Sequence, residues 1–247
     1  ADLKTFQEYG TFGLTAITCI VTMDPDNNWK HNVTPISAEL VKEQLKTILS
    51  GAPIDAMKTG MLGSVEIIKV AADAIQQGRL KNVVIDPVMI CKGDDEVLQP
   101  DSAEAIRDLL IPLATVTTPN LFEAGQLSGL GTPKTLEEMK EAAKKIRALG
   151  VPNVVIKGGK ALAGDMAVDL FYDGVDFTIL EAPKNANNFN HGAGCTFAAA
   201  ITAGLANGLS IDKSVEKAKT FVTAAIAHGF EFNKFIGPVW HGAYNRL

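Results

Sequence analysis

The sequence contains few cysteines and few aromatic residues, and both shortages narrow the class of protein. Its three cysteines, Cys19, Cys91 and Cys195, are far apart and form no paired motif, which argues against a disulfide framework or a cysteine-based zinc site. Sparse, unpaired cysteine is typical of a reducing compartment, so we expect a cytoplasmic protein. Only 6% of the residues are aromatic although 47% are hydrophobic, which indicates a globular core built mainly from Val, Ile, Leu and Ala.

The sequence also lacks basic clusters and long hydrophobic runs. Its net charge is −5 and it contains no block of Lys or Arg, so we expect neither nucleic acid nor an anionic membrane as a partner. No apolar run reaches the roughly 18 residues of a membrane-spanning helix. The longest candidate, residues 195–209, is interrupted by Gly204, Asn207 and Gly208. We therefore expect a small-molecule partner.

Helix-like and strand-like segments alternate along the chain. Helical patterns occur at residues 2–9, 38–49, 65–77, 102–110, 136–149, 195–206 and 212–230. Strand-like runs occur at residues 16–23, 56–58, 83–86, 115–117, 153–156, 166–172 and 176–180. This alternation predicts an α/β fold with a mostly parallel sheet covered by helices on both sides. The last two strand-like runs predict a hairpin, and the absence of repeats and linkers predicts one domain over residues 1–247.

A glycine-rich segment at residues 190–196, NHGAGCT, precedes an apolar helical run. Glycines let the backbone turn tightly and approach a ligand closely, and a helix start directs unsatisfied N–H groups at an anion. Cys195 would lie in the same positive field, which predicts a lowered thiol pKa and a usable base or nucleophile. The alternative is a glycine-rich turn into a core helix with an inert, buried cysteine.

Polar motifs follow four of the predicted strands. They are residues 59–61 (TGM), 86–88 (DPV), 118–120 (TPN) and 157–159 (KGG). In open α/β sheets ligands bind beyond the carboxyl ends of the strands. We therefore expect these motifs to converge on one site.

Taken together, the motifs resemble the ribokinase-like superfamily, and within it the vitamin kinases that act on pyridoxal or hydroxymethylpyrimidine. The matching stretches are residues 1–6 (ADLKTF), 58–62 (KTGML), 86–89 (DPVM), 118–121 (TPNL) with Glu123, 157–159 (KGG) and 191–196 (HGAGCT). The resemblance implies a three-layer αβα sandwich, phosphoryl transfer from MgATP to a hydroxymethyl group, and a homodimer. Family members carry a strand and a glycine-rich loop before the ADLK helix, and we expect both to be missing from this sequence.

The same resemblance implies roles for individual residues. Cys195 would take the hydroxyl proton, in a position where more distant superfamily members use Asp. The transferring phosphoryl group would be held by the backbone N–H groups of Gly192, Ala193 and Gly194. Asp86 and Glu123 carry the hard oxygen ligands that Mg²⁺ prefers. The nucleotide would be bound by Asn120, Lys157, Gly158, Gly159, Asp169, Gly194 and Lys213. The substrate would be contacted by Gly60, Met61, Val88, Cys91 and His31.

Each of these assignments has a plainer alternative. Asp86 precedes a proline, and Asp-Pro is a common turn opening. Glu123 could be an ordinary helix-start carboxylate, and Lys157 a turn residue before two glycines. Met61 could fill the core, and His31 could be a solvated loop residue. We assign no role to His228 and His241.

Two positions favour pyridoxal as the substrate. Cys91 lies where the resemblance places a lid, and its thiolate, favoured by the neighbouring Lys92, could add to the pyridoxal aldehyde as a hemithioacetal. Hydroxymethylpyrimidine has no aldehyde. Hydroxymethylpyrimidine kinases typically carry Gln where Ile20 aligns, and Ile cannot hydrogen-bond the pyrimidine edge. Hydroxymethylpyrimidine kinase activity, or dual specificity, is the alternative.

Two further functions stay open. A non-catalytic vitamin-B6-binding protein could use the same fold, because fold alone does not establish activity. The joint presence of Asp86, Glu123, Lys157 and Cys195 argues against it, since binding without transfer needs neither a metal carboxylate nor a base. A sugar kinase of the same superfamily is more distant, because Cys195 replaces the usual Asp.

Overall fold

Helices and strands alternate along the chain in the computed structural model, which describes residues 1–89, 100–187 and 189–246. In chain order the elements are α1 (Asp2–Glu8), β1 (Cys19–Asp24), β2 (Lys30–Pro35), α2 (Ala38–Gly51), β3 (Met57–Thr59), α3 (Val65–Gln77), β4 (Val83–Ile85), α4 (Pro100–Ala105), β5 (Val116–Thr117), α5 (Leu121–Ser128), α6 (Leu136–Arg147), β6 (Asn153–Gly159), β7 (Met166–Tyr172), β8 (Phe177–Pro183), α7 (Ala193–Ala206) and α8 (Ile211–Ala227). The predicted lid cysteine, Cys91, lies outside the described residues.

Six strands form one sheet whose spatial order follows the sequence, from β3 to β8. The neighbours from β3 to β6 are parallel, whereas β7 and β8 are antiparallel additions. The predicted mostly parallel sheet and the predicted hairpin are both confirmed. Because β3 to β6 run in the same direction, the residues at their carboxyl ends meet at one edge of the sheet.

Helices cover both faces of this sheet. Successive residues of β4 point to opposite faces. Val83 and Ile85 belong to the hydrophobic cluster that includes residues of α3 and α6. Val84 belongs to the cluster that includes residues of α7 and α8. The continuous Val/Ile runs in the sequence therefore arise from strands that are buried on two sides.

The strand predicted at residues 16–23 lies outside the main sheet. It forms β1, which pairs antiparallel with β2 in a separate two-stranded sheet. The turn between them places Asn28 and Trp29 at positive φ, 52° and 61°. The sequence gives little sign of β2, because neither of its faces is buried deeply enough to require a hydrophobic pattern.

Two helical predictions also need correction. The helix predicted at residues 102–110 is α4 followed by a π-helical turn, Ile106–Leu110, and a 3₁₀ turn, Ile111–Leu113. Helix α5 was not predicted from the sequence. It is short and contains Gly125, where a Cβ would come within 2.6 Å of the Gly131 carbonyl carbon, so close packing requires a residue with low helix propensity there.

Helix α7 is hydrophobic around its whole circumference. All ten residues from Thr196 to Leu205 are buried, and α7 packs against α1, α8, β3 and β4. A buried helix needs no polar face, which explains the uninterrupted apolar run. Within residues 1–89, 100–187 and 189–246, no helix has the length and apolarity needed to cross a membrane.

Candidate functional site

The carboxyl ends of β4, β5 and β6 bring together a buried hydrogen-bonded cluster around Asp86. Oδ1 of Asp86 accepts hydrogen bonds from Oγ1 of Thr118, at 2.9 Å, and from Nζ of Lys157, at 2.7 Å. Lys157 lies within β6, so the predicted KGG turn is part of the strand. The predicted convergence of Asp86, Thr118 and Lys157 is confirmed.

Glu123 joins this cluster from the first turn of α5. Its Oε2 accepts from the backbone N–H of Asn120 at 2.8 Å, and Oδ1 of Asn120 accepts from the backbone N–H of Glu123 at 2.9 Å. This reciprocal pair is a capping box. The plainer interpretation of Glu123 as a helix-start residue is therefore confirmed. The side chain of Asn120 is likewise committed to the helix.

Burial gives Glu123 an unusual electrostatic environment. The residue is 3% exposed. Its burial raises the pKa of the carboxyl from the ordinary 4.5 to about 7, against the opposing effect of Lys157 and with a further increase from Asp86. A carboxyl that titrates near neutrality can exist in either protonation state at physiological pH.

Replacing Glu123 with Gln is expected to stabilise the protein at pH 8 by about 1 to 3 kcal/mol. Because the folded-state pKa is raised, the folded protein binds more protons than the unfolded chain between pH 4.5 and about 7, and its stability falls as pH rises through that window. Gln keeps the capping-box acceptor and removes the ionisation. Urea midpoints at pH 5.5, 7 and 8.5 measure the effect.

Glu138 provides the matched control, because it occupies the same helical position in α6 with its side chain exposed. Glu138→Gln tests the replacement of a helix-start Glu as such. Equal effects of the two substitutions on the pH dependence of stability would contradict the role of burial at Glu123.

The glycine-rich segment forms the start of α7 as predicted. Gly192 is the N-cap residue, with φ of 85°, a left-handed conformation that favours glycine. The backbone N–H of Thr196 donates to the carbonyl oxygen of Gly192. The N–H of Ala193 donates to the carbonyl of Asn190 at 3.2 Å, so its predicted contact with a phosphoryl group must be corrected. The N–H groups of Gly194 and Cys195 lie in the first helical turn, where α-helices leave donors unsatisfied.

His241, to which the sequence gave no role, supports this turn. Its Nε2 lies 3.0 Å from Oγ1 of Thr196, and that hydroxyl donates to the carbonyl of Gly192 at 2.8 Å. Burial is the main cause that lowers the pKa of His241 to about 4, so the ring is neutral at physiological pH. A neutral imidazole N–H can donate to Thr196. His241 thus helps to fix the backbone of the glycine-rich turn.

Cys195 lies at the start of α7 among charges from four other elements. Burial raises the pKa of its thiol, Asp86 and Asp2 raise it further, and Lys58 and Lys157 lower it. The predicted lowering of this pKa is therefore wrong, because loss of solvation outweighs the positive field. A Cβ on Gly194 would lie 3.5 Å from Nζ of Lys157, which places the Asp86 cluster beside the glycine-rich turn.

Four of the residues predicted to contact a substrate, Gly60, Met61, Val88 and His31, are described by the structure and lie around the same edge. Met61 follows β3 and Gly60, and its carbonyl accepts a 2.6 Å hydrogen bond from Oγ1 of Thr18, just before β1. His31, on β2, stacks against His191 of the glycine-rich turn, with ring centroids 5.9 Å apart. The hairpin of β1 and β2 therefore reaches both ends of the site. Val88 is half-buried and donates its N–H to the carbonyl of Asp86.

Some nucleotide-site predictions meet a different environment. The carboxylate of Asp169 pairs with Lys219 at 2.8 Å and accepts from the N–H of Gly159 at 3.0 Å. Its direct role is to hold Gly159, which has φ of 52°. At Gly158 a Cβ would clash with the carbonyl of Val168, so this glycine is required by strand pairing.

Lys213 is exposed and pairs with Glu216 on its own helix at 2.7 Å. No hydrogen bond or ion pair joins it to the Asp86 cluster within the part of the chain that the structure describes. Sequence reasoning missed Lys219 and Lys58. For Lys58 the available signal was a Lys directly after the apolar pair Ala56 and Met57 in a predicted strand, whereas Lys219 lies among the polar residues Glu216, Lys217 and Thr220 and gave no comparable signal.

The donor set suits a metal ion that is shared with a ligand. Among residues 1–89, 100–187 and 189–246, no group of three or more His, Cys, Asp or Glu could hold a metal ion. Asp86 and Glu123 supply two carboxylates. Mg²⁺ commonly binds through one or two carboxylates, with substrate phosphates and water completing its shell. The two residues therefore fit Mg²⁺ bound together with a nucleotide.

Comparison with known proteins adds a consistent pattern of similarity. The family model described as phosphomethylpyrimidine kinase matches residues 1–240. The chain is 54% identical over 243 residues to the pyridoxine kinase of Bacillus subtilis. This alignment covers 98% of this chain and 90% of the relative. A crystal structure of the Bacillus subtilis pyridoxal kinase as an ADP complex superposes with a TM-score of 0.95 at 54% identity, covering 99% of this chain and 91% of that one. The structure of the Staphylococcus aureus pyridoxal kinase with AMP-PCP and pyridoxal has a TM-score of 0.94 at 52% identity. The match covers 100% of this chain and 88% of that one.

Proposed function

The chain belongs to the phosphomethylpyrimidine kinase family, and we propose that it transfers the γ-phosphoryl group of ATP to the 5′-hydroxymethyl group of pyridoxal. It is a pyridoxal kinase, a phosphotransferase of vitamin B6 salvage. The observation that carries this proposal is the contact between two anion-binding features. Lys157 pairs with Asp86 at 2.7 Å, and its ammonium lies beside the first turn of α7 at Gly194. Similarity to kinases that bind pyridoxal and AMP-PCP supports the same reaction.

The site residues divide the work that phosphoryl transfer requires. The N–H groups of Gly192 and Gly194 bind the oxygens of the transferring group, and Lys157 neutralises their charge. Asp86 and Glu123 would hold Mg²⁺, which when bound supplies further neutralisation of the phosphates. Asn120 and the glycines at 158 and 159 border the nucleotide phosphates, with Asp169 fixing Gly159 in place and Lys213 reaching the nucleotide from α8.

Cys195 acts as the base. The 5′ oxygen of the substrate attacks the γ-phosphorus and its proton passes to Sγ of Cys195. The bond from the γ-phosphorus to the bridging oxygen breaks, and ADP leaves. Burial, Asp86 and Asp2 raise the pKa of this thiol. The thiolate must therefore be formed with help from the cations of the site.

Two residues set the choice of alcohol. Ile20 is half-exposed on the hairpin and cannot hydrogen-bond a pyrimidine edge. Cys91 captures the pyridoxal aldehyde: its thiolate sulfur bonds to the aldehyde carbon, and the resulting oxyanion takes a proton to give a hemithioacetal. Gly60, Met61, Val88 and His31 line the ring site.

Replacing Cys91 with Ala is expected to lower kcat/KM for pyridoxal at least about tenfold and to change that for pyridoxine less than about threefold. Pyridoxine carries an alcohol in place of the aldehyde, so it gains nothing from the thiol. ADP release with MgATP measures both, and wild-type protein assayed with hydroxymethylpyrimidine in the same series tests the alternative substrate. Cys19→Ala is the control for loss of a thiol outside the lid.

The outcomes separate the candidate functions. An equal fall for pyridoxal and pyridoxine in Cys91→Ala contradicts aldehyde capture. Faster turnover of hydroxymethylpyrimidine by the wild type contradicts the choice of pyridoxal while keeping the kinase. Tight pyridoxal binding without any ADP release contradicts the kinase and favours a vitamin-B6-binding protein.

We also propose that residues 1–247 act as one catalytic unit within a homodimer. Several large apolar side chains on and before the β1–β2 hairpin are exposed, among them Phe12, Leu14, Ile17, Ile20 and Val21. Several exposed large apolar side chains within one short segment favour a protein–protein interface there. Pairing through this surface would also steady the hairpin that carries His31.

A further inference from the structure

We propose that Lys58, positioned by Asp2, is the cation that pairs with the thiolate of Cys195. The inference rests on the proposed function, in which Cys195 must act as an anionic base. It gives a catalytic-site role to a strand residue that the site assignment above does not use.

Lys58 is buried at the site edge of the sheet. Its side chain is 5% exposed, and Nζ lies 2.9 Å from Oδ2 of Asp2, whose own side chain is 37% exposed. A Cβ on Gly60 would lie 3.2 Å from the same Nζ. The ammonium therefore sits directly against the strand-end loop that leads to Met61, while its partner Asp2 belongs to α1, which packs against α7.

The ammonium has unused hydrogen-bonding capacity. Lys carries three N–H donors, and Asp2 accepts from one of them. In the part of the chain that the structure describes, no second hydrogen bond or ion pair joins Lys58 to an acceptor. A buried ammonium with one carboxylate partner among the described residues has donors with which it can stabilise a second anion, such as a thiolate.

The charges around Cys195 favour Lys58 over the other available cation. Lys157 is committed to Asp86 at 2.7 Å and lies next to Glu123 as well. Among the described residues, the hydrogen-bonding partner of Lys58 is the half-exposed Asp2. Burial disfavours the Lys58 ammonium, but Asp2, Asp86 and Cys195 outweigh burial and raise its pKa, so it stays charged. The groups that act on the thiol are thus Asp2 from α1, Lys58 from β3, Asp86 after β4 and Lys157 from β6.

The alkylation rate of Cys195 tests the pairing without requiring turnover. Full-length protein is treated with iodoacetamide at pH 7.5, and the modification of Cys195 is followed separately from that of Cys19 and Cys91 by peptide mass spectrometry. Only the thiolate reacts. Lys58→Met is expected to slow the reaction of Cys195 at least about tenfold, which corresponds to about one unit of thiol pKa. Lys58→Arg keeps the charge and is expected to recover most of the rate.

Asp2→Asn provides the decisive comparison, because its expected effect has the opposite sign. It removes a negative charge that disfavours the thiolate while leaving the Lys58 ammonium in place, so alkylation of Cys195 should become faster. If Lys58 and Asp2 only tie α1 to β3, both substitutions lower thermal stability and neither changes the rate at Cys195. That result overturns the proposal, as does a change of the same sign in Lys58→Met and Asp2→Asn.

The test separates this inference from the proposed function. A fully active Cys195→Ala variant would overturn the role of Cys195 as base, and with it the catalytic role of Lys58, whatever the alkylation rates of the Lys58 variants. An inactive Cys195→Ala variant together with an unchanged alkylation rate in Lys58→Met would keep the kinase reaction and exclude Lys58 as the partner of the thiolate.

Discussion

Replacing Cys195 with Ala is expected to lower kcat roughly 10²- to 10⁴-fold, which is the usual effect of removing a general base. KM for ATP should change less than about threefold, because the substitution leaves in place the N–H groups of the α7 turn and the Lys157 ammonium, which bind the phosphates. Steady-state ADP release with pyridoxal measures both constants. The thiol is half-buried at the start of α7, and Ala fits the same space.

Two companions make this result specific to the base. Cys195→Ser replaces the thiol with a hydroxyl of similar size that does not ionise near neutral pH, so its kcat should also fall by at least about a hundredfold. Cys19→Ala removes a half-buried thiol whose Sγ lies 4.0 Å from the carbonyl oxygen of Met61, and should keep most of the activity. Because the thiol pKa is raised, kcat/KM of the wild type should increase with pH through the neutral and mildly alkaline range. A kcat for Cys195→Ala within tenfold of the wild type would contradict the assigned role.

The convergence of the site could be predicted from the sequence because it follows from strand direction alone. A parallel strand that ends at Ile85 places Asp86 at the same edge as the residue after Thr117. The direction of helix α7 likewise brings Gly192 and Gly194 to that edge. These are consequences of topology and of glycine conformation, and neither depends on side-chain detail.

The pKa of Cys195 could not be predicted in the same way. The sequence shows a helix start, which lowers a thiol pKa, but it does not show how deeply the sulfur is buried or that Asp86 and Asp2 face it. In the folded protein, burial and these two carboxylates raise the thiol pKa more than Lys58 and Lys157 lower it. The sign of a pKa shift depends on the balance of solvation and charge, and that balance is a property of tertiary structure.

Residues whose partners are distant in sequence were also beyond prediction. Asp169 is paired with Lys219, 50 residues away, and Lys58 with Asp2, 56 residues away. The strand β2 was missed because its alternation is weak where both faces are partly exposed. Local pattern predicts which residues are polar, whereas the choice of partner is made by packing.

Replacing Lys157 with Met is expected to impair both folding and nucleotide binding. Lys157 and Asp86 have side-chain exposures of 15% and 2%, so the substitution leaves the carboxylates of Asp86 and Glu123 buried without their cation. Removing one partner of a buried pair typically costs about 3 to 5 kcal/mol. Lys157 opposes the rise in the pKa of Glu123, so that pKa should rise further above about 7 in the variant. The loss of stability should therefore be largest at pH 8 and smaller at pH 5.5, where Glu123 is protonated, and urea unfolding at the two values measures it.

Catalysis should suffer more than stability in this variant, because phosphoryl transfer depends on cations that neutralise the transferring group. We expect kcat/KM for ATP to fall at least about a thousandfold, comparable with the loss of other cationic contacts to a γ-phosphate. The double variant Lys157→Met with Asp86→Asn separates the two effects. It removes one of the two carboxylates that Lys157→Met leaves without a cation, and it should regain about half of the lost stability because only Glu123 then remains unpaired. It should remain inactive, since neither the ammonium nor the carboxylate is present. Recovery of activity together with stability in the double variant would mean that Lys157 serves only to neutralise Asp86 and does not contact the nucleotide.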